Sequence, residues 1–291
     1  MTPAARRAAA GLLLATMATM AGAQQSGGTA VTDGTATLSS AATLAPTPPA
    51  TTENASHHLT RNGRDIYASF RAGLADPNCS AETGARWQRH FAHAPHQLVS
   101  RESDALALFG YVVDALRNAD LPTEYALIPF VESGFKPGAR SAAGPAGLWQ
   151  FIAMTARNHD IPIRRGYDGR LSAVDSTQAA VRYLKTLHGM FAGDWRLAVM
   201  AFNAGEYRVL DALKRSGQRA DSATPAELVG LSGTTRSYVR KLHALSCVLD
   251  RADDREQWMH ALDRPVSDLV AMPVPAGIDS LDALATRQGF D

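Results

Sequence analysis

The chain is predicted to be mainly α-helical. Three observations lead there. Apolar residues recur with the 3.6-residue spacing of amphipathic helices over 103–118, 173–191 and 234–250. Cap-type residues precede these stretches, and Pro122 and Gly193 follow the first two. No alternating apolar run long enough for a sheet strand appears before residue 265. With 291 residues and 45% hydrophobic content, the chain can bury a full core in one or two domains. Its 29 basic and 28 acidic side chains nearly balance, so no basic field points to nucleic acid.

Taken in order, residues 1–23 read as a secretory signal. Arg6 and Arg7 are the basic start, Ala8 to Met20 the apolar stretch, and Ala21-Gly22-Ala23 the small-x-small cleavage site. That apolar run is short for a membrane span, so a soluble, exported and periplasmic mature chain is expected. Residues 24–57 are Ser, Thr, Ala, Gly and Pro with few large apolar side chains, the composition of a disordered linker. A helical domain is expected over 58–262. His90, His93 and His96 lie three apart, but Pro95 interrupts any helix there, so the rings do not share a face as metal ligands would. The two cysteines, Cys79 and Cys247, are too few for a metal site. An even count in an exported chain favours a bridge, and Cys247 falls opposite the stripe of Tyr238, Leu242, Leu245 and Leu249.

Ser103 to Asn118 carries Phe109, Val112, Val113 and Leu116 at helical spacing, and Leu121-Pro122 breaks it. Pro122 is placed to open the next helix, through Tyr125, Ile128 and Val131 to Glu132. Pro129 should kink it and Gly134 end it. Further helices are expected at about 151–159, from Ser172 or Asp175 to Phe191, from Trp195 to Asn203 after the Asp194 cap, and at 206–214. Tyr167-Asp168 is expected in a polar loop, and Thr234 or Thr235 should cap the helix of Tyr238. Residues 263–291 differ: apolar residues are spread among prolines, followed by one short helix.

The chemistry gathers at Glu132. Ile128, Phe130, Val131 and Phe135 surround it in sequence. An apolar environment and the negative end of a helix dipole both favour the protonated carboxyl, as a general acid requires. A segment with four glycines, 134–147, then offers backbone able to pass close to a ligand, and Trp149 and Gln150 follow as an aromatic and an amide suited to sugars. The other acids of this region, Asp168, Asp175 and Glu206, fall in a loop and at helix caps. Two carboxylates are the rule for glycosidases, and substrate assistance is an exception that needs only one.

The string Glu132-Ser133-x-Phe135, Ser141 nine residues after the Glu, Gly147-Leu148-Trp149-Gln150, Ala201-Phe202-Asn203-Ala204-Gly205 and Tyr238 on a later helix together resemble soluble-type lytic transglycosylase domains, most nearly the membrane-bound murein transglycosylase D type. The likeness covers about 100–250. It implies a lysozyme-like fold similar to goose-type lysozyme. It also implies cleavage of the β-1,4 bond between N-acetylmuramic acid and N-acetylglucosamine in peptidoglycan, without water, leaving 1,6-anhydromuramoyl ends. On that resemblance Glu132 is acid and then base, and Ser141 hydrogen-bonds near the acetamido group or the Glu. Gln150 and Asn203 position sugar and Glu, Tyr238 lies beside the carboxyl, and Trp149 supports the substrate. No cofactor or metal is implied; the partner is the glycan strand. Phe202 stands where many relatives have Tyr. The segment from Ser280 to Phe290 faintly resembles the start of a LysM unit, which would make 263–291 part of a glycan-binding extension. A hydrolytic lysozyme of the same fold and a non-catalytic peptidoglycan-binding module are the alternatives.

Overall fold

In the computed structural model, residues 60–79, 84–269, 276–278 and 280–288 are described. The signal and linker segments expected over 1–57 lie outside them, as does part of 263–291. The described residues belong to one unit spanning Ser56–Asp291.

A short strand, β1 (Thr60–Asn62), leads into α1 (Gly63–Ala72), whose Asn62 side chain caps the Arg64 N–H. Then come α2 (Ala85–His90) and α3 (Ala94–Val99), with Pro95 in the first turn of α3 where a missing N–H costs nothing. Next is α4 (Ala105–Arg117), which buries Phe109, Val112, Val113 and Leu116 completely, as the spacing predicts.

The next stretch departs from expectation. In place of one kinked helix there is a 3₁₀ turn, Thr123–Leu127, followed by α5 (Ile128–Ser133). Pro129 therefore starts a helix and does not bend one; its ring sits at the first turn, where its lack of a donor is harmless.

The chain continues through α6 (Ala153–Asn158) and a two-residue hairpin, β2 (Ile163–Arg164) with β3 (Tyr167–Asp168), where a polar loop was expected. Then come α7 (Ala173–Met190), capped by Ser172, α8 (Trp195–Ala204), capped by Asp194, and α9 (Glu206–Arg215). The long α10 (Gly233–Asp253) is capped by Ser232, not by the threonines expected for it, because the helix begins one residue before them and the Ser232 hydroxyl reaches the Thr235 N–H at 3.0 Å. After α11 (Glu256–Leu262), β4 (Pro265–Ser267) pairs antiparallel with β1, so this strand, beyond the expected boundary at residue 262, is tied to the domain's first element. The short α12 (Leu281–Gln288) follows.

The mainly helical class expected from periodicity is the class found. No helix among the described residues is long and apolar enough to cross a membrane. The core is continuous: α4, the 3₁₀ turn, α7, α8 and α10 enclose Phe109, Tyr125, Trp149, Leu184, Phe191 and Leu242, all almost fully buried. Burial of each such side chain is worth about 1.5–3 kcal/mol. Packing α10 against both α5 and α8 is what brings Tyr238 to Glu132. Cys247, two and a half turns beyond Tyr238 on α10, is fully buried and bonded to Cys79, with Cα atoms 5.5 Å apart.

Candidate active site

Glu132 is the penultimate residue of α5 and is half-buried. Burial pushes its carboxyl above the usual range; the hydrogen bond from Tyr238 and the ammonium of Lys241 act in the opposite direction and do not overcome it. No neighbouring carboxylate contributes to the shift. The Tyr238 hydroxyl donates to Glu132 Oε1. Tyr238 is itself buried, and its phenol is pushed well above its ordinary range, by desolvation first and then by the Glu132 charge. The phenol therefore stays a donor at any working pH. Lys241 lies one turn further along α10 and stacks its ammonium over the Trp87 ring at 4.9 Å.

Helix α5 ends sharply. Gly134 takes φ +60°, and Phe135 follows at φ +57°, a left-handed conformation that costs a non-glycine residue about 1–2 kcal/mol. The Phe135 ring, buried against Phe130 at 4.5 Å and Phe109 at 5.9 Å, offsets that cost. Ser133, next to Glu132, turns its hydroxyl to the Leu148 carbonyl at 2.8 Å. That bond joins the end of the Glu132 helix to the Gly147–Gln150 segment.

The segment 139–151 forms a wall built on Arg170. The Arg170 guanidinium is almost fully buried. It donates to Asp168 at 2.9 and 2.8 Å, to the Gly144 carbonyl at 2.9 Å and to the Phe151 carbonyl at 3.2 Å. The same bidentate pair holds the Asp168 carboxyl below the usual carboxylate range. Gly147 packs so closely that a Cβ there would lie 1.6 Å from the Arg170 carbonyl oxygen, and its φ is +82°. Only glycine fits.

Gln150 folds its amide back onto this wall, donating to the Gly147 carbonyl at 2.9 Å and less closely to that of Ala139 at 3.4 Å. Ser141 is exposed at the tip, where its hydroxyl accepts the Ala143 N–H at 3.3 Å; among the described residues it makes no hydrogen bond to Glu132. Asn203 is exposed on the last turn of α8.

Trp149 needs correction. It is 1% exposed and its indole N–H donates to Thr177 at 2.9 Å, so it is a core side chain under the wall and has no face for a sugar. Phe202 packs against Trp149, Phe151 and Tyr183, so the Phe in place of Tyr leaves this aromatic cluster closed.

Tyr238 is thus bonded to Glu132, while Gln150 and Ser141 serve the adjoining wall. Sequence reasoning quoted Ser133 within the Glu132 motif without giving it a role, and it missed Arg170 and Thr177; these act through backbone carbonyls or buried side chains. It weighed Asp168 only as a solvated loop acid. The one signal within reach was the Asp-x-Arg spacing of 168–170.

The fold and the site together define a helical domain with a carboxyl of raised pKa, Glu132, set at the end of α5 against a glycine-rich wall. Residues 113–224 match the family model described as Transglycosylase SLT domain, and over them the chain carries such a domain. It is 41% identical over 139 residues to the membrane-bound lytic murein transglycosylase D of Escherichia coli (strain K12), an alignment covering 48% of this chain and 30% of that one. It is 31% identical over 133 residues to the soluble lytic murein transglycosylase of Salmonella typhimurium (strain LT2), covering 44% and 20%. It is also 31% identical over 116 residues to the peptidoglycan transglycosylase gp16 of Escherichia phage T7, covering 40% and 8%. The chain thus spans less than a third of the length of each of these relatives. Among solved structures, a lytic transglycosylase Slt from Pseudomonas aeruginosa aligns over 72% of this chain and 34% of its own, at 20% identity and a TM-score of 0.41.

Proposed function

We propose that this protein is an exported lytic transglycosylase of the periplasm. It cleaves the β-1,4 bond between N-acetylmuramic acid and N-acetylglucosamine in peptidoglycan and leaves 1,6-anhydromuramoyl ends. The observation that carries the proposal is the setting of Glu132: burial raises its pKa, Tyr238 hydrogen-bonds one carboxyl oxygen, and no neighbouring carboxylate contributes to the shift.

The steps follow from that arrangement. Protonated Glu132 gives its proton to the glycosidic oxygen as the bond to the anomeric carbon breaks. The substrate's own acetamido oxygen bonds to that carbon, in the manner of substrate-assisted glycosidases. Glu132, now a carboxylate, takes the proton of the muramoyl primary hydroxyl. That oxygen displaces the acetamido oxygen and closes the ring. The proton lost in the first step is regained in the last, and no water is consumed. Tyr238 donates to the carboxylate in the middle of the cycle, when its charge is largest. Gln150 and Ser141 hold the wall along which the sugar lies, and Asn203 is exposed to meet it.

The names of the relatives support the substrate class, and the signal-type sequence of residues 1–23 supports export. Digestion of purified peptidoglycan tests the proposal: anhydromuramoyl fragments should accumulate with the wild type and not with Glu132→Gln. Fragments with ordinary reducing ends alone would favour the hydrolytic reading.

A further inference from the structure

One ammonium acts on Glu132, and the reaction steps above give it no task. Lys241, on α10 with Tyr238, is half-buried. Among the described residues it makes no ion pair at contact distance. Its ammonium sits over the Trp87 ring instead, 4.9 Å from the centroid. Of the aromatic side chains an indole holds a cation best. The same ring carries the Arg86 guanidinium at 5.0 Å and meets the His90 ring edge-on at 5.7 Å. Helix α2, which carries Trp87, buries no side chain of its own, so ties to α10 set its place. The Arg251 guanidinium donates to Gln88 Oε1 at 2.6 Å, His243 Nε2 meets the Asn78 carbonyl at 2.9 Å, and Cys79 is bonded to Cys247.

Other charged or titratable groups stand on the elements packed around the Glu132 helix. Glu124, in the 3₁₀ turn, turns to the Ala75 and Asp76 N–H groups, and Arg140, on the wall, pairs with Asp168. His93 and His96 lie at α3. Among the described residues only Tyr238 and Lys241, both on α10, act on the Glu132 carboxyl. The timing of charge at Glu132 gives Lys241 a use. The carboxyl is neutral until the glycosidic oxygen takes its proton and anionic until the ring closes. Resting on the proposed function, we propose that Trp87 is a positioning residue of this reaction: its ring parks the Lys241 ammonium beside Glu132, in place before the carboxylate forms. Charge fixed in advance needs no rearrangement at the moment of reaction. Without the ring, the flexible and strongly hydrated lysine would turn its ammonium to water.

The test is the pH–rate profile of anhydro-end release from peptidoglycan. It compares wild type, Trp87→Phe, Trp87→Leu, Lys241→Met and the double variant Trp87→Leu with Lys241→Met, each checked for folding by its unfolding midpoint. Lys241 favours the carboxylate, so loosening it raises the pH at which the acid form is lost. In Trp87→Leu the alkaline limb should move to higher pH, and the rate well up that limb, relative to the plateau, should rise roughly three- to fivefold. Lys241→Met should move the limb at least as far. The double variant should move it no further than Lys241→Met, because Trp87 acts through the ammonium. Trp87→Phe, with the weaker ring, should fall between wild type and Trp87→Leu, and KM should stay within about twofold throughout. An unmoved limb in Trp87→Leu, additive shifts in the double variant, or a raised KM as the sole effect overturns the proposal; the last would make Trp87 a stacking surface for sugar. Where Trp87→Leu does not fold, Trp87→Phe is read in its place: a displaced limb supports the proposal and an unmoved one overturns it. If wild type releases no anhydro ends, the functional reading fails instead, and the Glu132 carboxyl is titrated directly by carbon NMR in the full chain. A midpoint higher in Trp87→Leu than in wild type then supports the role of Trp87, and equal midpoints overturn it.

Discussion

Gly147→Ala is the substitution whose cost the structure fixes most closely. The added Cβ would sit 1.6 Å from the Arg170 carbonyl oxygen, and Cβ atoms are essentially never found within 3.0 Å of such an atom. Backbone must therefore move by roughly 1.4 Å on one side or the other. Both sides are held. Gly147 donates to Ala139 at 2.8 Å and accepts from the Gln150 amide at 2.9 Å, and Arg170 anchors Gly144 and Phe151. Losing two of these bonds costs about 1 kcal/mol each, and holding alanine at φ +82° about 1–2 kcal/mol more. The sum, about 3–4 kcal/mol, corresponds to a fall in melting temperature of roughly 6–16 °C for a domain of this size. Misplacing the wall by ~1 Å should also lower turnover by about 10²-fold. Gly138→Ala is the internal control, since that glycine has ordinary φ and open space within 4 Å. Thermal unfolding and clearing of a peptidoglycan suspension are the assays. A Gly147→Ala protein within 1 °C of the Gly138→Ala protein, and equally active, would refute the reasoning about the wall.

Three further outcomes are expected. Glu132→Gln should lower lytic activity by at least ~10²–10⁴-fold, the usual worth of one acid–base group. Because burial raises the Glu132 pKa, the carboxyl's contribution to stability is present below its unfolded value of 4.5 and lost as pH rises through the raised value. The Gln variant should then gain stability relative to wild type over that interval, and equal pH profiles of melting temperature would contradict the burial argument. In Tyr238→Phe the bond that lowers the Glu132 pKa is gone, so the alkaline limb of the rate profile should move to higher pH while the maximal rate falls roughly tenfold. An unmoved limb would remove Tyr238 from its role. Reduction, or replacement of Cys79 and Cys247 by serine, opens a loop spanning 168 positions and should cost up to ~5 kcal/mol by the chain-entropy model. Two labelled thiols in denatured, unreduced protein would show that the bridge does not form.

Periodicity and punctuation made most of the fold legible. α4, α7 and α8 bury the residues the spacing selects, Asp194 caps where expected, and of the two candidates Ser172 and Asp175 it is Ser172 that caps α7. The misreadings share a cause: proline and cap residues constrain a boundary without saying on which side of it the helix lies. Pro129 was compatible with a kink or a start, and tertiary packing of the 3₁₀ turn chose the start. Ser232 was overlooked because the two threonines shortly after it are cap-type residues as well. At the site, Glu132 and Tyr238 were legible through their motif and are hydrogen-bonded across 106 residues of sequence. Trp149 was misjudged because a residue type says nothing about which face of a segment meets solvent. Arg170 was invisible because its work is done on backbone carbonyls, which every residue has.

The central claim is that one carboxyl closes a ring without water. Digestion of peptidoglycan in heavy-oxygen water, followed by mass analysis of the products, tests it most directly. Muramoyl ends should be anhydro, one water lighter than reducing ends, and should carry no heavy oxygen, because the attacking oxygen comes from the sugar. Reducing ends labelled with heavy oxygen at the anomeric position, with no anhydro species, would contradict the account and make this protein a hydrolase.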